Sequence, residues 1–324
     1  MTDKILEVKN LTKAYNGFYA VKSINFDLRR AEIFGFLGPN GAGKTTTINM
    51  LTGMAKVTSG KIFFNGSDLT NNITKAQEII GLVPDESNLY DEMSGFDNLC
   101  FCGALYGMLK KERQQRAGEL LEIFQLSDVA AKKYKAYSKG MKRKLTIAAA
   151  LMHSPEILFL DEPTTGIDVM NVRQIRKLIR KLNEKGTSIF LTTHYIEEAE
   201  RLCDRVAFIQ EGEIIRTGTV DFLIEESRVI NSIEIRLEQP GNGKKKLLDN
   251  LRVRFPGFES VYVNDNIIRI SSTGTIDIAP VVSYLSEAGL LIYEARLIKP
   301  SLEDAFVRAT GIEISSMKKE KERK

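Results

Sequence analysis

The sequence predicts an α/β protein followed by a smaller α+β domain, and three observations carry that prediction. A glycine-rich loop, Gly38-Pro39-Asn40-Gly41-Ala42-Gly43-Lys44-Thr45-Thr46, lies between an apolar strand and a helical pattern. Short continuous apolar runs, Ile33–Leu37, Ile157–Leu160 and Ser188–Thr193, read as buried parallel strands. After about Asp221 the segments follow the order β-α-β-β-α-β.

The loop fits G-x-x-x-x-G-K-[ST], the phosphate-binding pattern, and it has the strand and the helix that this pattern requires. Small residues let the backbone N–H groups wrap closely around a polyphosphate, and the positive end of the following helix faces the same phosphates. In this arrangement Lys44 reaches the terminal phosphates and the Thr45 hydroxyl holds Mg²⁺.

Composition narrows the function classes. The 324 residues are enough for two domains, and 43% hydrophobic with 27% charged is ordinary globular chemistry. A net charge of +4 is too small to argue for nucleic acid, and no nucleic-acid partner is expected. No apolar run approaches the ~18 residues that would cross a bilayer, and the N-terminus has no signal-peptide layout. Cys100, Cys102 and Cys203 make no disulfide framework, and two histidines argue against a His-based metal site. Together these features predict a cytoplasmic protein.

Along the chain, Ile5–Asn10 and Ser23–Leu28 alternate as strands around an Asn16-Gly17 turn. Tyr15, beside that turn, either packs there or stacks on a flat base. Ser59–Phe64 is a further strand closed by Asn65-Gly66, and Ile79–Val83 is a short strand ended by Pro84. From Gly95 to about Ser127 the pattern is helical and reads as an inserted subdomain, about 86–150. Ser138 is suited to cap the helix that runs through Leu145 and Leu151, so Ser138 and Gly140 form either a second anion site or a plain helix cap. The strand Ile157–Leu160 delivers Asp161 and Glu162 to its carboxyl end, where ligands of open α/β sheets bind. One of the two acids suits the metal's water shell and the other the attacking water. Val172–Asn183 is an amphipathic helix, and His194 stands at the end of the Ser188–Thr193 strand, a position suited to a phosphate contact. Arg205–Ile209 and Glu213–Arg216 form a hairpin.

With Ser138-Lys139-Gly140-Met141-Lys142 in place, residues 4–220 closely resemble the ATP-binding subunit of ABC transporters, a P-loop NTPase fold with antiparallel-β and helical subdomains. The resemblance implies that Tyr15 stacks on adenine, that Gly38–Thr46 is the Walker A loop, and that Ile157–Asp161 is the Walker B strand. It makes Ser138–Lys142 the signature sequence, Glu162 the general base, and His194 the switch histidine on the γ-phosphate. Thr165–Asp168 matches the loop that crosses to the partner subunit, which assigns Asp168 to the bound nucleotide. ATP and Mg²⁺ are the implied ligands, with Thr45, Asp85 and Asp161 around the metal. The partners implied are integral membrane permease subunits and a second ATP-binding subunit, as a homodimer or heterodimer held head to tail at the cytoplasmic face of the membrane.

Two positions depart from the family pattern. Asp85, followed by Glu86, stands where the family usually has Gln, and Ser-Lys-Gly-Met-Lys stands for the common Ser-Gly-Gly-Gln. The signature variant resembles the branch that serves drug, polysaccharide and multidrug export. The alternative is a soluble ABC ATPase acting on a macromolecule. Ribosome-acting relatives carry two cassettes and DNA-repair relatives carry long coiled coils, and neither feature is in this sequence. A GTPase would want Asn-Lys-x-Asp, and no Asn-Lys pair occurs. Residues 221–313 read as a ferredoxin-like regulatory or dimer-stabilising module, and 314–324 as a charged tail.

Overall fold

The computed structural model describes residues 3–87, 89–227, 231–238, 244–298 and 300–312, so the charged tail expected at 314–324 lies outside the described residues. The chain divides into two compact units, one built on Met1–Val220 and the other spanning Asp221–Arg308.

The first unit opens with the long hairpin β1 (Lys4–Tyr15) and β2 (Phe18–Arg29), turned at Asn16-Gly17. There follow β3 (Ile33–Leu37), α1 (Lys44–Leu51), β4 (Ser59–Phe64), β5 (Ser67–Asp68), α2 (Ile73–Gln77) and β6 (Ile80–Val83). The helices α3 (Gly95–Leu105), α4 (Lys110–Ile123) and α5 (Lys139–Ala150) lead back to β7 (Ile157–Asp161). The unit closes with α6 (Val169–Glu184), β8 (Ser188–Thr193), α7 (Ile196–Leu202), β9 (Arg205–Gln210) and β10 (Glu213–Thr219). A helix α8 (Val220–Glu226) follows.

Two sheets result. One is antiparallel, in the order β2-β1-β4-β5. The other has six strands in the order β10-β9-β3-β8-β7-β6, with only the β9–β10 pair antiparallel. Every residue of β3, β7 and β8 is buried, as continuous apolar runs require of central parallel strands. Phe26 of the antiparallel sheet meets Phe34, Phe36 and Phe190 of the other at centroid distances of 5.6 to 5.7 Å, so an aromatic cluster joins the sheets. Such pairs contribute about 0.5–1.5 kcal/mol each beyond the area they bury. Because β3, β6, β7 and β8 run in the same direction, their carboxyl ends share one edge, which is what brings sequence-distant residues together.

The helical pattern expected from Gly95 to about Ser127 is two helices. Gly107 sits at φ +75° just past α3, where its N–H and that of Met108 bond back to Ala104 and Gly103. That left-handed glycine stops the helix, and the apolar periodicity continues across the break without recording it.

The second unit contains β11 (Asn231–Leu237), α9 (Lys244–Arg254), β12 (Glu259–Asn264), β13 (Ile267–Ser272), α10 (Ile278–Glu287) and β14 (Ile292–Ile298). Its antiparallel sheet has the order β12-β13-β11-β14, the ferredoxin-like topology. Ile233 pairs with Ile270 and Ile235 with Ile268, and these side chains face the core with Leu251, Val281 and Leu285. Ser301 caps the last helix, α11 (Leu302–Thr310), through a reciprocal pair with Asp304.

Candidate functional site

The phosphate loop leaves β3 and enters α1 in the backbone conformation its glycines permit. Gly43 caps α1 at φ +103°, in the left-handed region that a side chain disfavours. A Cβ on Gly38 would lie 2.2 Å from the carbonyl oxygen of Ile209, so β9 packs directly on the loop's backbone. The Lys44 ammonium is buried and donates to the carbonyls of Gly38 at 2.8 Å and Pro39 at 3.0 Å. The N–H groups of the first turn of α1 have no intrahelical partner and are the donors offered to an anion.

Four strand ends meet at this loop. Glu162, just past β7, approaches Lys44 with Oε1 3.3 Å from the ammonium. Its Oε2 accepts from His194 Nδ1 at 2.8 Å and from Thr165 Oγ1 at 3.1 Å. Burial opposes the charged carboxylate, but the His194 hydrogen bond and the Lys44 charge outweigh it and hold the pKa below its ordinary 4.5. An ionised carboxylate only accepts, so Nδ1 carries the proton of this pair. Glu162 itself stands at φ +47°, a conformation that costs on the order of 1–3 kcal/mol and persists only where the surroundings enforce it. Asp161, buried beneath, accepts a short hydrogen bond from Thr192.

The lowered pKa of Glu162 sets an expected stability profile. The stabilisation from its ionised form is complete above the unfolded-state value and is lost as pH falls through the folded one. Thermal melting from pH 7 to pH 3 should show that loss in the wild-type chain and a smaller loss in E162Q. Identical profiles would mean that the carboxylate gains nothing from its partners.

A cleft of about 610 Å³ opens over these groups. Of the residues expected at the site, Tyr15, Asn40, Gly41, Gly43, Lys44, Thr45, Thr46, Asp85, Glu162 and His194 line it. Tyr15 is half-exposed at the end of β1, with Lys13 Nζ 4.5 Å from its ring centroid. Gly38, Pro39, Ala42 and Asp161 are not among the lining residues. Asp85 is half-exposed, and its Oδ1 is 3.7 Å from Arg143 Nη2. Partial burial pushes its pKa up, Arg143 pulls it back, and Asp161 and Glu162 raise it further.

Ser138, Gly140 and Asp168 are not among the residues lining the cleft. Ser138 caps α5 by accepting from the Met141 N–H at 3.2 Å. Gly140 lies so close to Asn171 that a Cβ there would come within 2.3 Å of its amide carbon. Asp168 caps α6 through the N–H groups of Met170 and Asn171, and its other oxygen accepts from the Asn171 amide at 2.7 Å. The starts of α5 and α6 thus form a second cluster. Lys142 is 3.4 Å from Asp91 Oδ1 and lies over the Tyr134 ring, so its charge has partners within the same unit.

Several residues beyond those expected at the cleft take part in it or support it. Phe18 and Ala20 of β2 and Thr165 also line the cleft, and an aromatic immediately after the Asn16-Gly17 turn could have suggested Phe18. Glu198 is fully buried and accepts from Thr164 and Thr193, each at 2.8 Å, tying the segment after β7 to the end of β8. Burial pushes its pKa up. Arg143 of α5 is another, buried beside Asp161 and Glu162.

The profile of the protein family described as ABC transporter matches residues 21–165. The chain is similar to the linearmycin resistance ATP-binding protein LnrL of Bacillus subtilis (strain 168), 38% identical over 310 residues covering 95% of this chain and 98% of the relative. It is 34% identical to the Nod factor export ATP-binding protein I of Burkholderia orbicola (strain AU 1054), over 95% of this chain and 98% of that protein. Among solved structures, the dimeric post-hydrolysis state of the ATP-binding cassette MJ0796 bound to ADP and Pi superposes with a TM-score of 0.61 at 28% identity, covering 66% of this chain and 98% of that one. A full-length relative at this identity, together with a phosphate loop that shares one cleft with Asp85 and Glu162, establishes that the chain belongs to the ATP-binding proteins of ABC transporters.

Proposed function

We propose that this chain is the Mg²⁺-dependent ATPase that drives export of a substrate through separate membrane subunits. Lys44, Thr45, Glu162 and His194 facing one cleft is the observation that carries the reading. The names of the similar proteins, which include drug resistance and Nod factor export, support the direction of transport.

The residues divide the work. Tyr15 stacks on the adenine, and Lys44 with the loop N–H groups holds the β- and γ-phosphates. The donor set of Thr45, Asp161 and Asp85 is all oxygen, which fits Mg²⁺. When bound, that ion neutralises charge developing on the phosphates. Glu162 accepts a hydrogen bond from the attacking water and takes its proton, with Thr165 and His194 fixing the carboxylate. His194 also holds the γ-phosphate in place. Ser138 and Gly140 serve the nucleotide of a partner cassette, with Asp168 at the crossing loop. The cassettes work head to tail at the cytoplasmic face of the membrane. Residues 1–220 form the ATP-binding domain, with a helical subdomain at about 86–150. Residues 221–313 form an accessory domain that stabilises or regulates the dimer.

Purification of the tagged chain from gently solubilised membranes of its own host tests this reading. A stoichiometric polytopic membrane protein should accompany it. Recovery only with ribosomal or other soluble partners would leave the ATPase intact and overturn the transport assignment.

A further inference from the structure

Arg143 is buried in α5, five residues after the Ser138 cap. Its guanidinium donates to main-chain oxygens at the ends of two strands. Nε donates to Pro163 at 3.0 Å, Nη2 to Asp161 at 3.2 Å and Glu162 at 2.6 Å, and Nη1 makes a short bond to Pro84. Buried arginines normally pair with carboxylates. Here the nearest carboxylate oxygen is that of Asp85 at 3.7 Å, and four carbonyls from the ends of β6 and β7 take the donors instead.

The peptides on both sides of Glu162 are therefore gripped by different elements. Its N–H bonds to Thr192 of β8, at 3.2 Å from both the carbonyl and the hydroxyl oxygen, and its carbonyl is held by Arg143 of α5. Those two grips straddle the residue whose φ is +47°. A planar fork with five donors can bridge carbonyls from two strands, whereas an ammonium presents a single point of charge. Since α5 begins at Lys139, directly after the Ser138 cap, and is one continuous helix through Arg143, a shift of its first turn moves the guanidinium with it.

We propose that Arg143 is a positioning residue for hydrolysis: it links the seating of the signature helix to the peptide that aims the Glu162 carboxylate. This rests on Glu162 being the general base and on Ser138 with Gly140 meeting the partner's nucleotide. Engagement of the first turn of α5 then sets the base in the same chain, and disengagement slackens it.

The test compares wild-type chain, R143K, R143Q, E162Q and the double variant R143K/E162Q, with Mg²⁺-ATP as substrate. For R143K we expect kcat to fall about 10- to 100-fold, a partial loss that does not exceed the lower end of the roughly 10²–10⁴-fold a positioned base contributes, while ATP affinity and melting temperature stay close to wild type. R143K should add little to the loss already present in E162Q, because its action passes through that carboxylate. R143Q provides the same measurements if R143K does not fold. Wild-type kcat in either arginine variant overturns the proposal. So does an equal fold-loss on both Glu162 backgrounds, or a joint fall of affinity, melting temperature and kcat, or failure of both variants to fold, since each marks a purely structural role. If E162Q itself hydrolyses at the wild-type rate, the base assignment has failed first, and that outcome is recognisable without any arginine variant.

Discussion

Replacing Glu162 by glutamine is expected to leave ATP bound and to remove most turnover. The amide keeps the volume and a hydrogen-bonding oxygen beside Thr165 and His194 but cannot take a proton from water. A positioned general base contributes about 10²–10⁴-fold, so phosphate release should fall by at least about a hundredfold, or ~2.7 kcal/mol in barrier. Nucleotide affinity should hold or rise, because losing the carboxylate frees the Lys44 ammonium 3.3 Å away from its competing charge. Equilibrium binding and a phosphate-release assay on the same preparation separate the two effects. A variant that hydrolyses ATP at the wild-type rate removes Glu162 from the role of base.

Lys44→Ala is expected to act on binding instead. Its ammonium is aimed by the Gly38 and Pro39 carbonyls and is 6% exposed, so no neighbouring solvent cation replaces it readily. Losing a charge-assisted contact costs about 1.5–3 kcal/mol, which is roughly 10- to 150-fold in dissociation constant. The substitution also strips the cationic partner from a buried carboxylate, which is destabilising in its own right. A lowered melting temperature without nucleotide should accompany the weaker binding. An unchanged ATP dissociation constant would argue against the whole site.

Much of this site is legible because its signals are local. The loop pattern from Gly38 to Thr46 carries its own conformational demand, and Ile157–Asp161 is an apolar run that ends in acid. The cap at Ser138 is equally readable, since a cap is a contact within four residues. The break between α3 and α4 was missed even though Gly107 is visible, because helical periodicity overrode one glycine. In the sequence Arg143 is one cation between Lys142 and Lys144, with nothing to set it apart. Its partners are the carbonyls of Pro84, Asp161, Glu162 and Pro163, and backbone oxygens leave no mark on a sequence. Glu198 was missed for a similar reason, since its two threonine donors belong to separate segments.

By itself, the sequence determined the class of ligand, the parallel core and the residues that phosphate chemistry requires. These follow from backbone freedom, side-chain periodicity and charge, which are properties of neighbours in the chain. Tertiary structure decided which of those residues share a cleft. Strand order placed the ends of β3, β6, β7 and β8 on one edge, which brought Lys44, Asp85, Glu162 and His194 together and set Ser138, Gly140 and Asp168 in a second cluster at α5 and α6. It also decided the state of Glu162, because its ionisation and its left-handed backbone depend on His194, Lys44, Thr192 and Arg143, which reach it only through the fold.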